Sequence, residues 1–414
     1  MSDRLRILWL KTGPLHPLDT GGKIRSFYLL RELRQKHLIC FLALWPEGCP
    51  YEMRQLAIAY SNEQVWVPWR QTTKGSLRFW FELAQNLLYS KLPYVLEKYK
   101  AKEMAEAVAR FDLRRAYDLI VCDFLTPSVN LFTGGYLPNT PLLLFQHNVE
   151  AQIWKRAMEN ARGFKRTYFR VQWQRMRNYE QATCAKFDGV VGVSEKDCWQ
   201  MRDDYRLGNV LGSVPGGVAL DFFYPPKSSR RPNTLVFVGS MDWHPNVDAI
   251  CYFVERVLPI IRRRCPNVTL TVVGRNPTVE LRALAAKTPE VRITGTVEDV
   301  RPYLAQAAVM IVPLRIGSGT RIKILEAMAT AIPIVSTTIG AEGLPVTHRE
   351  DILLADSPGE FAECVCELLE QPDMARRIGE NGLALVRRAG GWEAAGRKFE
   401  QFCWEVYSRR KEAN

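Results

Sequence analysis

The sequence predicts an α/β protein made of two doubly wound parallel-sheet domains, and three observations carry that reading. Apolar runs of strand length alternate with stretches of helical periodicity along the chain. The alternation halts at a polar, turn-rich stretch, SSRRPN at 228–233, and then begins again. The chain has 414 residues, 47% of them hydrophobic, whereas a single core rarely grows beyond ~250–300 residues.

The first strand is Leu5–Leu10, an apolar run that Lys11 interrupts. It lacks the longer apolar core of a secretory signal. Strands Leu38–Leu44, Leu119–Cys122, Leu142–Phe145 and Gly189–Val193 follow, with helical stretches such as Ile24–Leu33 and Glu195–Tyr205. Short apolar strands separated by helices imply sheets covered on both faces. The second series runs Thr234–Val238, Val268–Val273, Val291–Thr294, Val309–Pro313 and Ile334–Ser336. Its helices are expected at Asn246–Arg263, Thr278–Lys287, Val300–Ala307 and Thr320–Thr330, and closing helices around Glu360–Glu370 and Trp392–Arg409. The expected division is therefore 1–227, a linker 228–233, a second domain 234–390 and a closing helix 391–414. Two such sheets would face across a cleft, with ligands beyond the carboxyl ends of the strands.

Composition narrows the function. No apolar run approaches the ~20 residues of a membrane span, and the ten cysteines form neither a CxxC pair nor a zinc-like spacing. A cytosolic protein with reduced cysteines is expected. The net charge of +12 favours phosphate-bearing ligands. No helix-turn-helix, zinc-finger or RNP-type sequence points to nucleic acid.

Four motifs lie at expected strand ends. The most informative is GSGTRIKILEAMA, 317–329, between the strand-like AAVMIVPL and a helix. Gly317 and Gly319 allow close approach of a ligand to backbone. Ser318 and Thr320 suit an N-cap, and a helix N-terminus is a site for phosphate. Arg321 and Lys323 place two cations where the helix dipole disfavours them, which suggests a bound anion. Glu326 follows ~9 Å along the axis of the helix starting at Thr320, a spacing that suits ribose hydroxyls. A capped surface helix is the plain alternative. In KTGPLHPLDTGGKIRSF, Gly21 and Gly22 end a long loop that could lie against a ligand. In LLLFQHNVEAQIW, His147 sits just past a strand, as a catalytic or a merely structural histidine. In VRITGTVEDVRPYL, the backbone around Val297 could bracket a nucleobase.

With these residues assembled, the chain resembles the group-1 (family-four) glycosyltransferases of the GT-B fold, two Rossmann-like domains, and within them bacterial exopolysaccharide sugar transferases. FVGSMDWHPN, VVGRNP, TGTVEDVRPYL, VPLRIGSGTRIKILEAMA and PIVSTTIGAEGL carry the resemblance, which is strongest from Phe237 to Asp356. It implies a retaining, metal-independent transfer from a nucleotide-sugar donor to a glycan or lipid-linked acceptor, with no cofactor. It implies His147 near the transferred sugar and Glu326 on the donor ribose. Gly21, Gly22 and Gly239 join the donor-binding set. The sequence departs from the family where Ser318 replaces the first glutamate of its paired-glutamate motif, and where Ser240 and Pro245 replace an arginine and a lysine. Arg321 and Lys323 are expected to supply those charges.

Two other readings stand beside this one: a catalytically silent nucleotide-sugar-binding subunit, and a nucleotide-sugar epimerase. An oxidoreductase is disfavoured by the absence of GxGxxG. Residues 154–179 hold eight Lys or Arg, several aromatics and one acid, Glu159. They read equally as a packed helix pair and as a contact to an anionic membrane surface. The resemblance favours a peripheral position on the inner membrane face.

Overall fold

Arg6–Lys11 opens the chain's first sheet because ILWL offers apolar side chains to both faces, and these four and Lys11 are buried. In this computed structural model residues 4–73, 75–227, 229–316 and 321–412 are described. The chain divides into two units, Met1–Pro215 with Ala395–Asn414, and Gly216–Ala394. The division falls at 215/216, ahead of the polar stretch 228–233, and the last helix crosses it.

The first unit contains β1 (Arg6–Lys11), α1 (Gly21–Arg34), β2 (Leu38–Pro46), α2 (Glu52–Ala57), β3 (Glu63–Trp69), α3 (Leu77–Tyr89), α4 (Tyr94–Glu97) and α5 (Lys102–Leu113). It continues with β4 (Leu119–Asp123), β5 (Leu142–Phe145), α6 (Glu150–Asn160), α7 (Gly163–Cys184), β6 (Gly189–Gly192), α8 (Glu195–Asp204) and β7 (Val210–Ser213). The seven strands are parallel, in the order β3-β2-β1-β4-β5-β6-β7. Strand order reverses between β1 and β4, the place where doubly wound sheets bind ligands. The strands missing from the sequence reading are the two edges. β3 carries Pro68 and an exposed Glu63, which an edge strand tolerates. β7 is four residues long and includes Gly212.

The second unit contains β8 (Thr234–Val238), α9 (His244–Tyr252), α10 (Leu258–Arg264), β9 (Thr269–Val273), α11 (Val279–Lys287), β10 (Val291–Ile293) and α12 (Arg301–Gln306). Then come β11 (Val309–Val312), α13 (Ile322–Ala329), β12 (Ile334–Ser336), β13 (Leu353–Leu354), α14 (Pro358–Glu370) and α15 (Pro372–Ala389). Its six parallel strands run β10-β9-β8-β11-β12-β13, with the reversal between β8 and β11. The single helix expected at 246–263 is two helices joined by a wide π turn, Phe253–Val257. Pro259 explains this, because it lacks an N–H and its ring clashes with the preceding turn.

Helix α16 (Trp392–Glu412) returns to the first unit. Phe399 reaches Trp9 and Phe145, with ring centroids 5.6 and 4.9 Å apart. Gly189 permits this approach, since a Cβ there would lie 2.6 Å from Val406 Cγ2.

Candidate functional site

In the first unit Leu10 pairs with Cys122 across β1 and β4, so Lys11 and Asp123 end adjacent strands at the reversal point. Lys11 Nζ lies 2.7 Å from Asp123 Oδ1 and donates to Ser26 Oγ of α1 at 2.8 Å. Trp9 Nε1 donates to Asp123 Oδ2 at 2.9 Å. His147, two residues beyond β5, places Nε2 2.8 Å from Asp123 Oδ1. Its Nδ1 is 3.3 Å from Arg25 Nη1. A guanidinium only donates, so Nδ1 accepts and Nε2 carries the proton directed at Asp123. The imidazole is therefore neutral. Burial pushes His147 down to about 3, against the pull of Asp123. Burial alone would raise the Asp123 carboxyl, but Lys11 and His147 outweigh it and hold it below the usual carboxylate range. Sequence reasoning placed His147 beyond a strand but missed Asp123, Lys11 and Arg25. A carboxylate closing the apolar run LIVCD was the available signal.

The glycines belong to the same assembly. Gly21 and Gly22 form the first turn of α1, with Thr20 as its N-cap, where the sequence suggested the end of a loop. A Cβ on Gly22 would meet Phe124 Cε2 at 2.9 Å. The Phe124 ring stacks on His147 with centroids 3.9 Å apart, and its backbone has φ +78°. Glu180 of α7 holds the other side of the loop. Its fully buried carboxylate accepts from Gln146 Nε2 (2.5 Å), Glu150 N (2.7 Å), Ala151 N (3.0 Å) and Tyr205 OH (2.6 Å). A side chain from α7 thus caps α6 and secures the turn that carries His147.

In the second unit the corresponding strand ends belong to β8 and β11. Gly239 follows β8, and the chain beyond β11 leads to α13. Lys323, in the first turn of α13, donates to Asn246 Oδ1 at 3.1 Å and lies over the Phe237 ring at 4.4 Å. A Cβ on Gly239 would come within 2.9 Å of Asn246 Nδ2 and 3.0 Å of Lys323 Nζ. Burial, with help from Arg321, pushes the Lys323 ammonium down to about 7. Burial likewise pushes Glu326 up to about 7, which Lys323 partly opposes. Glu326 lies three residues on, on the same helix face. It makes no hydrogen bond or ion pair among the described residues.

Arg321 differs from expectation. It is the residue before the helix, with φ −85° and ψ 60°, rather than part of its first turn. It is 8% exposed, and its Nη2 donates to Ile339 O at 3.0 Å. Gly317, Ser318, Gly319 and Thr320 lie outside the described residues. Val297 lines an open groove with Glu298, Asp299 and Tyr303. Residues 154–179 fall in α6 and α7, which pack together and turn at Gly163 (φ +58°). Trp154, Trp173 and Tyr179 rest against the core. Among the described residues no helix is long and apolar enough to cross a membrane.

Two parallel-sheet units, of seven and six strands, make up the GT-B fold. Sucrose-phosphate synthase of Thermosynechococcus elongatus has the same fold, with a TM-score of 0.71 at 17% identity over 98% of this chain and 100% of that one. Residues 232–371 match the model of group 1 glycosyl transferases. A Klebsiella pneumoniae protein described as an uncharacterized 44.6 kDa protein in the cps region is 23% identical over 289 residues, covering 66% of this chain and 71% of that one. The GDP-mannose-dependent alpha-(1-6)-phosphatidylinositol monomannoside mannosyltransferase of Mycobacterium tuberculosis is 29% identical over 214 residues. That match covers 46% of this chain and 55% of the relative, so this chain spans little more than half of the mannosyltransferase's length.

Proposed function

We propose that this chain is a retaining, metal-independent glycosyltransferase that moves a hexose from a nucleotide-sugar donor to a glycan or lipid-linked acceptor, in exopolysaccharide or other cell-surface glycan synthesis. The observation that carries the reading is the Lys323 ammonium held beside Gly239 at the reversal point of the second sheet. An ammonium desolvated there, in the first turn of a helix, gains most from an anion, because both burial and the dipole oppose its charge. The donor pyrophosphate is placed at the start of α13, near Arg321, Lys323 and the segment 317–320. Glu326 accepts from the ribose hydroxyls, and the backbone at Val297 borders the base.

In the transfer the bond from the anomeric carbon to the diphosphate oxygen breaks, and the electron pair leaves with the nucleoside diphosphate. The acceptor hydroxyl bonds to the same face of that carbon and passes its proton to the departing diphosphate oxygen. Fixed cations and N–H groups stabilise the charge that grows on the leaving oxygen, the work that a metal ion does elsewhere. His147 is assigned to the sugar side. Its neutral ring is held in one tautomer by Asp123 and Arg25, so it positions rather than relays a proton. The cps-region relative favours a surface-glycan role, and the basic residues of 154–179 favour peripheral contact with an anionic inner membrane face.

The test is a thermal-shift screen over nucleotides and nucleotide sugars, followed by NMR assignment of the anomeric configuration of the product with and without chelator. Binding, transfer with retention and insensitivity to chelator are expected. An inverted product, or transfer abolished by chelator, refutes the mechanism. Binding without turnover on any acceptor supports the silent subunit instead.

A further inference from the structure

Trp154, Trp173 and Tyr179 of residues 154–179 rest on the core, and the larger exposed apolar surface of the first unit lies on α3. Its sequence is LRFWFELAQNLLY. At about 100° per residue, Leu77, Trp80, Phe81, Ala84 and Leu88 fall in one stripe roughly 100° wide. That stripe faces solvent: Leu77 is 90% exposed, Trp80 58%, Phe81 69% and Leu88 72%. Tyr89 at its end is 83% exposed.

The rotation of α3 is set by its inward face. Asn86 is buried and donates to Leu92 O at 3.0 Å, and Phe79 meets Tyr94 edge to face at 5.6 Å. Glu82 accepts from Thr72 at 2.9 Å and from Tyr94 OH at 3.1 Å. These contacts leave the apolar stripe outward. Isolated exposed apolar residues are ordinary, but a continuous stripe of this size marks an interaction surface.

Charge identifies the occupant. Arg175 of α7 grips the end of α3, donating to Asn86 O at 3.0 Å and Leu87 O at 2.8 Å. The same α7 exposes Lys165, Arg166, Arg170 and Phe164, and between Glu159 and Glu180 the sequence contains no acid. An apolar stripe of Trp, Phe and Leu on a helix anchored to the cation-rich α7 matches the acyl boundary and the phosphates of an anionic bilayer. A second copy matches poorly, because a two-fold contact is self-complementary and would bring two basic α7 helices towards each other.

We infer that α3 inserts its Leu77–Leu88 stripe into the interface of an anionic bilayer while α7 supplies the electrostatic attraction. This extends the membrane contact proposed above, which rested on charge alone, and assigns its apolar half to a different helix.

The test is co-sedimentation of the full chain with vesicles of phosphatidylcholine alone or mixed with phosphatidylglycerol, at low salt. The wild type should be recovered with the mixed vesicles. Leu77→Ser/Phe81→Ser/Leu88→Ser should lower the partition coefficient about a hundredfold, with an unchanged melting curve because all three sites are exposed. Arg166→Glu/Arg170→Glu should lower it on mixed vesicles only. Partitioning of the serine variant at the wild-type level overturns the inference, as does failure of the wild type to bind mixed vesicles. A lipid-free dimer that the serine variant converts to monomer, by analytical ultracentrifugation, overturns it in favour of a second copy. Nucleotide-sugar binding, read on the same samples, reports separately on the transfer reading.

Discussion

His147 Nε2 lies 2.8 Å from Asp123 Oδ1, and the same oxygen is 2.7 Å from Lys11 Nζ. One buried carboxylate thus holds both a neutral imidazole and an ammonium at the reversal point of the first sheet. The pairing joins three strand ends, β1, β4 and β5, and it makes the carboxylate the keystone of that cluster. Asp123→Asn leaves Lys11 buried without its counter-charge, a change that typically costs about 3–5 kcal/mol. The melting temperature should fall by roughly ten degrees at neutral pH. The folded carboxyl titrates below its unfolded value of 3.8, so its contribution is complete above about pH 4 and is lost as pH falls further. The wild-type–variant difference should therefore shrink in acid. A melting series across pH checks this, and a pH-independent difference would contradict it.

His147→Ala tests the adjoining residue. Removing a ring stacked on Phe124 leaves a cavity, with an expected loss of about 2–4 kcal/mol. Turnover per folded molecule should drop by more than an order of magnitude as well. A variant that only melts earlier shows His147 to be a packing residue. Because the ring is held neutral, with its value near 3, the pH–rate profile should show no limb between pH 5 and 8 that disappears in this variant.

Lys323→Met should separate stability from binding. The folded ammonium titrates near 7 against 10.5 when unfolded, so between those values the unfolded chain binds more protons and stability rises with pH. Below pH 7 the charged, desolvated ammonium is a full cost to the ligand-free fold. Methionine removes it, and the ligand-free variant should melt a few degrees higher at pH 7 while losing the thermal shift from nucleotide sugars. A lower melting point with normal nucleotide binding would refute the assignment.

Glu326→Gln follows the opposite sign. The folded carboxyl titrates near 7 against 4.5 unfolded, so the folded state holds the extra proton between these values and stability falls as pH rises through them. Glutamine should match the wild type near pH 4 and melt higher at pH 8. Transfer should fall by about 10- to 150-fold, the effect of a charged hydrogen bond of about 1.5–3 kcal/mol. Wild-type kinetics with every accepted donor would exclude Glu326 from the ribose site.

Gly239→Ala probes the close approach. The new Cβ would press on the ends of Asn246 and Lys323, at 2.9 and 3.0 Å. Both are flexible side-chain tips, so the fold should persist while the ammonium is displaced. Nucleotide affinity should weaken about tenfold or more, measured by calorimetry. Unaltered affinity would show that the ammonium does not meet the nucleotide.

The sequence by itself determined the α/β class, the restart of the pattern in the second half, and most inner strands to within a residue or two. Leu142–Phe145, Thr234–Val238 and Ile334–Ser336 coincide with β5, β8 and β12. These are local properties: an apolar run of strand length, flanked by turn residues, sits in a buried parallel sheet wherever the chain places it. Local pattern fails where a neighbour decides. β3 with its proline and β13 with two residues exist because an adjacent strand pairs with them, and α16 joins the first unit because Phe399 finds Trp9 and Phe145. His147, Lys323 and Glu326 were legible as candidates from their places beside strand ends and in one helix. Their electrostatics were not. Asp123 meets Lys11 from 112 positions away and Lys323 meets Asn246 from 77, and burial rather than residue type moved His147 to about 3 and Lys323 and Glu326 towards 7. Desolvation depends on which atoms enclose a group in space, so only the tertiary structure could set the charge of the groups that the sequence had named.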